Sequence, residues 1–502
     1  MIDLLLIHGT VITMDQNRRI LQDGAVAIHQ GRILAVDATE KLKWKYEAVK
    51  VIDCSHQCIL PGLIDVHGHG GHSMFKTIAM ENIDFWMPIM TNTYKHFVTD
   101  EFWYYEGKLS ALERLKAGVT TGVSVLGSMP RSDEPIFAIN HAKAYAEVGI
   151  REVVCTGPCN PPWPHSFSRW IDGKRVVKEV SYEEVLQGAE AVIEALNHAN
   201  EDCTRAFITP FVIVTSVDPS NPTSPDRLYG LTDHDLYQAK KIREIARKYN
   251  TRIHSDAFGG MIHLAIQDKE NALLGPDVHL QHCRGISFDE ARILAETGTN
   301  VSASPGFGQV HARTPITELL EMGATVAIST DGTSPSTSFD MFQAMRKTQF
   351  VHQAALRDYY YLPPGKLLEM ITIDAAKCIG WDDEIGSLEI GKKADVITVN
   401  LHQPHLTPEF MHVHRLVFQA VANDVEHVIV DGKLIMEGRN VRTVHESTVL
   451  DEANEEAFST IKRAGLEKYM QPTKYFWGHA RAYVDEKRYD EREDAAAMVK
   501  GE

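Results

Sequence analysis

The chain has no uninterrupted apolar stretch approaching the ~18 residues that a membrane helix needs. Its opening, Met1-Ile2-Asp3-Leu4-Leu5-Leu6-Ile7-His8-Gly9, has too short an apolar run for a signal peptide. An acid also stands where a basic segment belongs. Cysteine is sparse, at seven in 502 residues, and the seven are scattered. That fits a reducing cytoplasm better than a disulfide scaffold. Cys54/Cys58 and Cys155/Cys159 share a Cys-x-x-x-Cys spacing, but neither has a matching second pair downstream. Buried small hydrophobes are the expected reading, not structural zinc. Positive charge is in deficit, with Lys+Arg 51 against Asp+Glu 68 and a formal net charge of −17. Such a field repels phosphate backbones, so no nucleic acid and no anionic membrane surface is expected as a partner.

Hydrophobic residues at 44% and charged residues at 24% are ordinary for a soluble globular protein. The count that stands out is 24 histidines. Short alternating runs broken by Gly9, Gly24 and Gly31 fill the first sixty residues: Leu4–Ile7, Thr10–Thr13, Ala25–Ile28 and Ile33–Val36. The same texture returns at Ala394–Val399 and Val425–Val430, followed by an Asp431-Gly432 turn and Lys433–Met436. Two β-rich pieces at opposite ends are expected to pair into one small sheet domain.

Between them a strand-then-helix rhythm runs eight times. The expected strands are Leu63–His67, Thr121–Leu126, Glu152–Cys155, Ala206–Val214, Arg252–Asp256, Val278–His282, Val301–Ser304 and Thr325–Thr330. Parallel crossovers of this kind build either a (β/α)8 barrel or a doubly wound sheet. No Gly-x-Gly-x-x-Gly turn follows an early strand, which favours the barrel. The expected fold class is therefore α/β: a distorted (β/α)8 TIM barrel over residues 61–382, a small sheet domain from 1–60 and 383–446, and a helical extension over 447–502.

Leu60-Pro61-Gly62-Leu63-Ile64-Asp65-Val66-His67-Gly68-His69 carries the strongest local signal. Alternation on a strand points His67 and His69 the same way. Two imidazoles converging at a strand end suit a divalent cation such as Zn²⁺ or Fe²⁺; the alternative is a solvated pair in a turn. Three more strand ends offer matching chemistry: His254-Ser255-Asp256, Gln281-His282-Cys283 and Thr330-Asp331-Gly332. A barrel gathers all of these above one mouth.

On these stretches, with Leu274–His282 and Gly386–Asp395, the chain resembles the amidohydrolase superfamily. The resemblance points to its branch of s-triazine chlorohydrolases and cyclic aminohydrolases, and spans residues 1–445. It implies a β-sandwich beside a distorted barrel, and one metal held by His67, His69 and His254. Asp331 would be ligand or base, and His282 would touch the activated water or the substrate. Many members hold a second metal on a carboxylated Lys of the fourth strand. That strand here, Ala206–Thr215, has neither Lys nor Glu, so a single ion is expected, Zn²⁺ ahead of Fe²⁺. Deaminases of the branch carry Glu three residues after the His matched by His254, where this chain has Ala257. Two readings follow: Asp256, on the same side as His254 by alternation, replaces that acid from a different angle, or the chemistry is not deamination.

The expected reaction is cleavage of a C–N bond by metal-activated water, foremost hydrolytic deamination of a nitrogen heterocycle or related amidine- or urea-like substrate. Hydrolytic dechlorination or amide hydrolysis on the same site is the alternative. A non-catalytic barrel scaffold would be free to lose ligands that are all present here. Trp86, Trp163, His165, Phe307 and Gln309 lie on loops expected to line a pocket for a flat heterocyclic or aromatic small molecule. A cytoplasmic homo-oligomer is expected.

Overall fold

The computed structural model describes residues 1–80, 83–216, 230–306, 312–472 and 476–477, with the side chains of 83–85 left out. Phe307 and Gln309 lie outside the described residues, as does the charged run from Glu491. Strands Ile2–Ile12, Ile20–His29, Arg32–Ala38, Ala48–Asp53 and Gln57–Pro61 share one nine-stranded sheet with Val396–Asn400, Val425–Val430, Lys433–Glu437 and Asn440–Val441. The two ends of the chain meet where Leu60 pairs antiparallel with Ile397. Leu4–Ile7 and Thr10–Thr13, read as separate runs, belong to a single strand whose register shifts around Gly9. A Cβ there would lie 2.6 Å from Ile59 Cδ1, so glycine lets the two strands close up. Asp431 and Gly432 take φ of 51° and 74°, the left-handed pair that a tight hairpin demands.

The middle of the chain forms the barrel. Its strands are Leu63–Gly70, Val119–Leu126, Arg151–Thr156, Thr204–Ile208, Ile253–Phe258, Val278–Arg284, Asn300–Ala303 and Val326–Ile328. Each lies parallel to the next in strict chain order. Their residues are buried almost without break, as expected for strands covered on both faces. The fourth strand is shorter than the expected Ala206–Val214. Pro210 has no N–H for the ladder, and beyond it Val212 makes only an isolated bridge to Asp256. Helices start on full capping boxes at Ser181, Thr232 and Ser287, satisfying N–H groups that the first turn leaves unpaired.

Sequential order leaves the first and last strands to meet, and they do so at the mouth. Asp331 N donates to His67 O at 3.0 Å, and Gly68 bridges Asp331 in parallel. Asp65 secures this seam from below. Its carboxylate accepts from Thr330 N at 2.9 Å, Thr330 Oγ1 at 2.7 Å and the buried Arg114 guanidinium at 2.9 Å. A fully buried acid is stable here because three donors replace its water. The extension packs as helix Glu446–Ala464 on Asp100–Lys116, with Lys116 Nζ 2.7 Å from Glu446 and Arg463 donating to Phe97 O at 2.6 Å. No described helix is long and apolar enough to cross a membrane.

Candidate active site

A cavity of about 440 Å³ opens at the C-terminal ends of the barrel strands. His69, Asp256, His282 and Asp331 line it, together with Trp86 and Arg284. Strand alternation aims His67 and His69 at one point. The hydrogen bonds behind the two rings then fix which nitrogen faces Asp331. His69 donates from Nδ1 to Gly127 O at 2.7 Å, so its Nε2 presents a lone pair to Asp331 Oδ1 at 3.2 Å.

His67 reaches the same state through a chain of partners. Ser302 Oγ donates to Gln281 Oε1, so it accepts from His279 Nε2 at 2.7 Å. His279 Nδ1 accepts from His254 Nδ1 at 3.0 Å, and His254 Nε2 accepts from His67 Nδ1 at 2.8 Å. His67 Nε2 therefore carries a lone pair. It is buried, has no hydrogen-bond partner among the described residues, and lies 3.7 Å from Asp331 Oδ1. Two lone pairs directed at a carboxylate call for a cation between them. His67, His69 and Asp331 offer ligand atoms that all lie within 4.8 Å of one another. These are the donor types that zinc prefers.

His254, expected among the ligands, lies beside them with both of its nitrogens engaged by the neighbouring rings of His67 and His279. His279 and Ser302, which hold it, carry no sequence signal of their own. His282 stands between two carboxylates, with Nε2 3.7 Å from Asp256 Oδ2 and 4.0 Å from Asp331 Oδ2. Both His282 and Asp331 have left-handed backbone, at φ 72° and 65°, and so does Cys283 at 44°. Residues held in this region cost of order 1–3 kcal/mol each, and such strain concentrates at functional sites.

Burial dominates the ionisation of the site. It pushes His254, His279 and His282 well below the usual imidazole value, keeping them neutral. Burial also raises Asp256, to about 6. Asp331 is desolvated too, but the imidazoles of His67, His69 and His282 gathered around it outweigh this and hold it well below the usual carboxylate range. Ser304 Oγ, at 3.2 Å, and Gly332 N, at 2.8 Å, donate to it as well. Ala257 sits in the apolar core and does not line the cavity; Asp256 does.

Of the expected pocket residues, Trp86 lines the cavity and is fixed by its Nε1 donating to Ser334 Oγ at 2.9 Å. Trp163 and His165 do not. Trp163 packs on Tyr182 and on the His165 ring, and His165 bonds Asn160 O and Lys95 on a hairpin outside the cavity. His72, whose direction the intervening Gly70 and Gly71 make unreadable in the sequence, stacks on His69 at 4.7 Å and lines the wall.

Comparison with known proteins finds the same fold. The solved adenosine deaminase from Xanthomonas campestris with bound zinc superposes with a TM-score of 0.76 at 19% identity, covering 92% of this chain and 99% of that one. Atrazine chlorohydrolase from Arthrobacter aurescens, complexed with zinc, gives 0.72 at 18% identity, covering 90% and 100%. At the sequence level, the 5-methylthioadenosine/S-adenosylhomocysteine deaminase of Desulforudis audaxviator is 30% identical over 445 residues, 88% of this chain and 95% of that protein. The 5'-deoxyadenosine deaminase of Methanosarcina mazei is 27% identical over 471 residues, 92% and 99%. The amidohydrolase family model matches residues 58–435. The chain belongs to the amidohydrolase family, and it is a hydrolase acting on carbon–nitrogen bonds.

Proposed function

We propose that this hydrolase deaminates an amino-substituted nitrogen heterocycle, with nucleoside-like purines as the leading substrate class, since its relatives are named for acting on them. The observation that carries the reading is His282 standing between Asp256 and Asp331 over a single cavity. His67, His69 and Asp331 would hold one divalent cation, zinc ahead of iron(II). His254 would have to give up its hydrogen bond with His67 to join them. Bound there, the cation supplies Lewis acidity that brings the pKa of water from 15.7 to about 7.

Asp331 Oδ1 faces His67 and His69 and accepts from Gly332 N, whereas Oδ2, on the His282 side, accepts only the longer bond from Ser304 Oγ and is the oxygen to take the water proton. His282, neutral through burial, orients the attacking oxygen toward the amino-bearing ring carbon. The C–O bond forms, and the ring carbon becomes tetrahedral. The amine must gain a proton before the C–N bond breaks, because an amide anion is too basic to leave. Asp331 passes the water proton by way of His282 Nε2 to Asp256, which gives it to the amine; the remaining hydroxyl proton moves to the adjacent ring nitrogen, so that water plus aminoheterocycle becomes the oxo ring plus ammonia. Trp86 offers a flat wall for the ring.

The test is a panel of adenosine, 5'-substituted adenosines, aminotriazines, aryl ureas and chlorotriazines, followed for ammonia, amine and chloride. Ammonia from an aminoheterocycle is expected. Chloride without ammonia from any member rejects the reading.

A further inference from the structure

We propose that Arg284 forms an oxygen-recognising subsite inside the catalytic cavity, so that the preferred substrate ring carries a planar oxygen acceptor, an oxo group or a carboxylate. The inference rests on the hydrolytic reading above and narrows its substrate class.

Arg284 is the residue two beyond His282, and its side chain lines the same cavity as Asp256 and Asp331. Its backbone is held on both sides. Arg284 O accepts from Gly259 N at 2.9 Å, and Gly285 N donates to Arg313 O at 3.1 Å. A Cβ on Gly259 would lie 1.9 Å from Gly285 O, so only glycine permits this approach of the fifth and sixth strand ends. The guanidinium rests 5.2 Å from the Phe258 ring centre, and Phe258 in turn stacks on His282 at 5.5 Å and 24°. The cation is thus positioned by a rigid platform shared with the catalytic imidazole.

What it lacks is a partner. Arg284 Nε is buried without a hydrogen bond, and the side chain makes no hydrogen bond or salt bridge among the described residues. Three buried arginines of the barrel differ in having a carboxylate partner. Arg114 meets Asp65 at 2.9 Å, Arg131 meets Asp133 at 2.6 Å and Arg151 meets Asp395 at 2.8 Å. Withdrawing the Nε–H of Arg284 from water without pairing it is unfavourable, and an oxygen acceptor brought by a ligand removes that penalty. The planar fork of donors suits a carboxylate through two parallel bonds, or an oxo group through one or two. The position beside His282 places that oxygen on the ring, or attached directly to it.

The probes are purine, hypoxanthine and purine-6-carboxylate, three bicyclic ligands without an exocyclic amine, titrated calorimetrically into the metal-loaded protein. Wild type is expected to bind at least one oxygen-bearing probe about tenfold or more tightly than purine. A preference for hypoxanthine assigns an oxo group, and a preference for the carboxylate assigns an anion. Arg284→Gln should bring all three within about threefold. Arg284→Lys, which keeps the charge but not the fork, should retain part of the preference. Because Arg284 has no hydrogen-bond or carboxylate partner to lose, only its contact with the Phe258 ring, neither variant should melt far below wild type. Equal binding of the three probes by wild type overturns the proposal, as does a preference that survives in Arg284→Gln. Since none of the probes can release ammonia, this outcome is independent of the substrate panel above.

Discussion

Two buried histidine clusters lie in the same barrel and are built on opposite principles. His141 donates from Nδ1 to Glu152 at 2.7 Å and from Nε2 to Glu106 at 3.0 Å, all three side chains being fully buried. Both ring nitrogens are satisfied and the group is closed to solvent. At the mouth, the bonds behind His67 and His69 are equally complete, yet each ring turns a bare nitrogen toward Asp331. The difference separates structure from chemistry: an imidazole satisfied on both nitrogens holds elements together, whereas two that each leave one nitrogen bare toward a shared carboxylate are prepared for something else to bind.

The comparison breaks most decisively at Asp331. Asp331→Asn keeps the size but removes both the base and the negative ligand, and should lower kcat/KM by about 10³–10⁴ in ammonia release, with the fold intact by circular dichroism. Changing the other cluster should do the reverse. His141→Gln leaves two glutamates buried without their cation, which should cost about 3–5 kcal/mol in urea unfolding. Activity per folded molecule should stay within about twofold of wild type. Asp256→Asn comes next, with a loss of about 10²-fold in turnover and little change in stability. Normal turnover in that variant would remove Asp256 from proton delivery.

The smallest expected effect is on pH dependence. Burial opposes the charge on His141, but Glu152 and Glu106 outweigh it and raise its pKa to about 9. A raised value means that the stabilisation is fully present below the unfolded value of about 6.5 and is lost as pH climbs through about 9, with a slope of at most about 1.4 kcal/mol per pH unit. Urea midpoints of wild type should fall across this window, and those of His141→Gln should lack that component. A fall of equal size in both proteins would assign it to another group.

The seam of the barrel is legible in the sequence because strand alternation and chain order are simple rules. His67, His69, His282 and Asp331 each stand at the end of a readable apolar run. The departures have physical causes. His279 lies within the same run as His282 and reads as core, and its role appears only once His254 is packed against it. Arg284 carries no such signal, because the left-handed backbone at His282 and Cys283 resets the direction of the chain, and alternation loses its meaning past a turn of this kind. Trp163 and His165 read as mouth residues because their loop comes after a barrel strand. The hairpin His165–Ile171 with Lys174–Val180 carries them elsewhere. A turn that close to the strand end leaves no periodic trace in the sequence.

The hydrogen bond from Asp331 to His67 also sets an order of events during synthesis. A nascent chain that has already left the ribosome as far as Ser304 contains every histidine of the centre, yet still lacks the carboxylate that unites them. Competence arrives in one step, when residue 331 emerges and docks beside a strand made some 260 residues earlier. Chains that end before residue 331 should therefore be silent in any turnover assay.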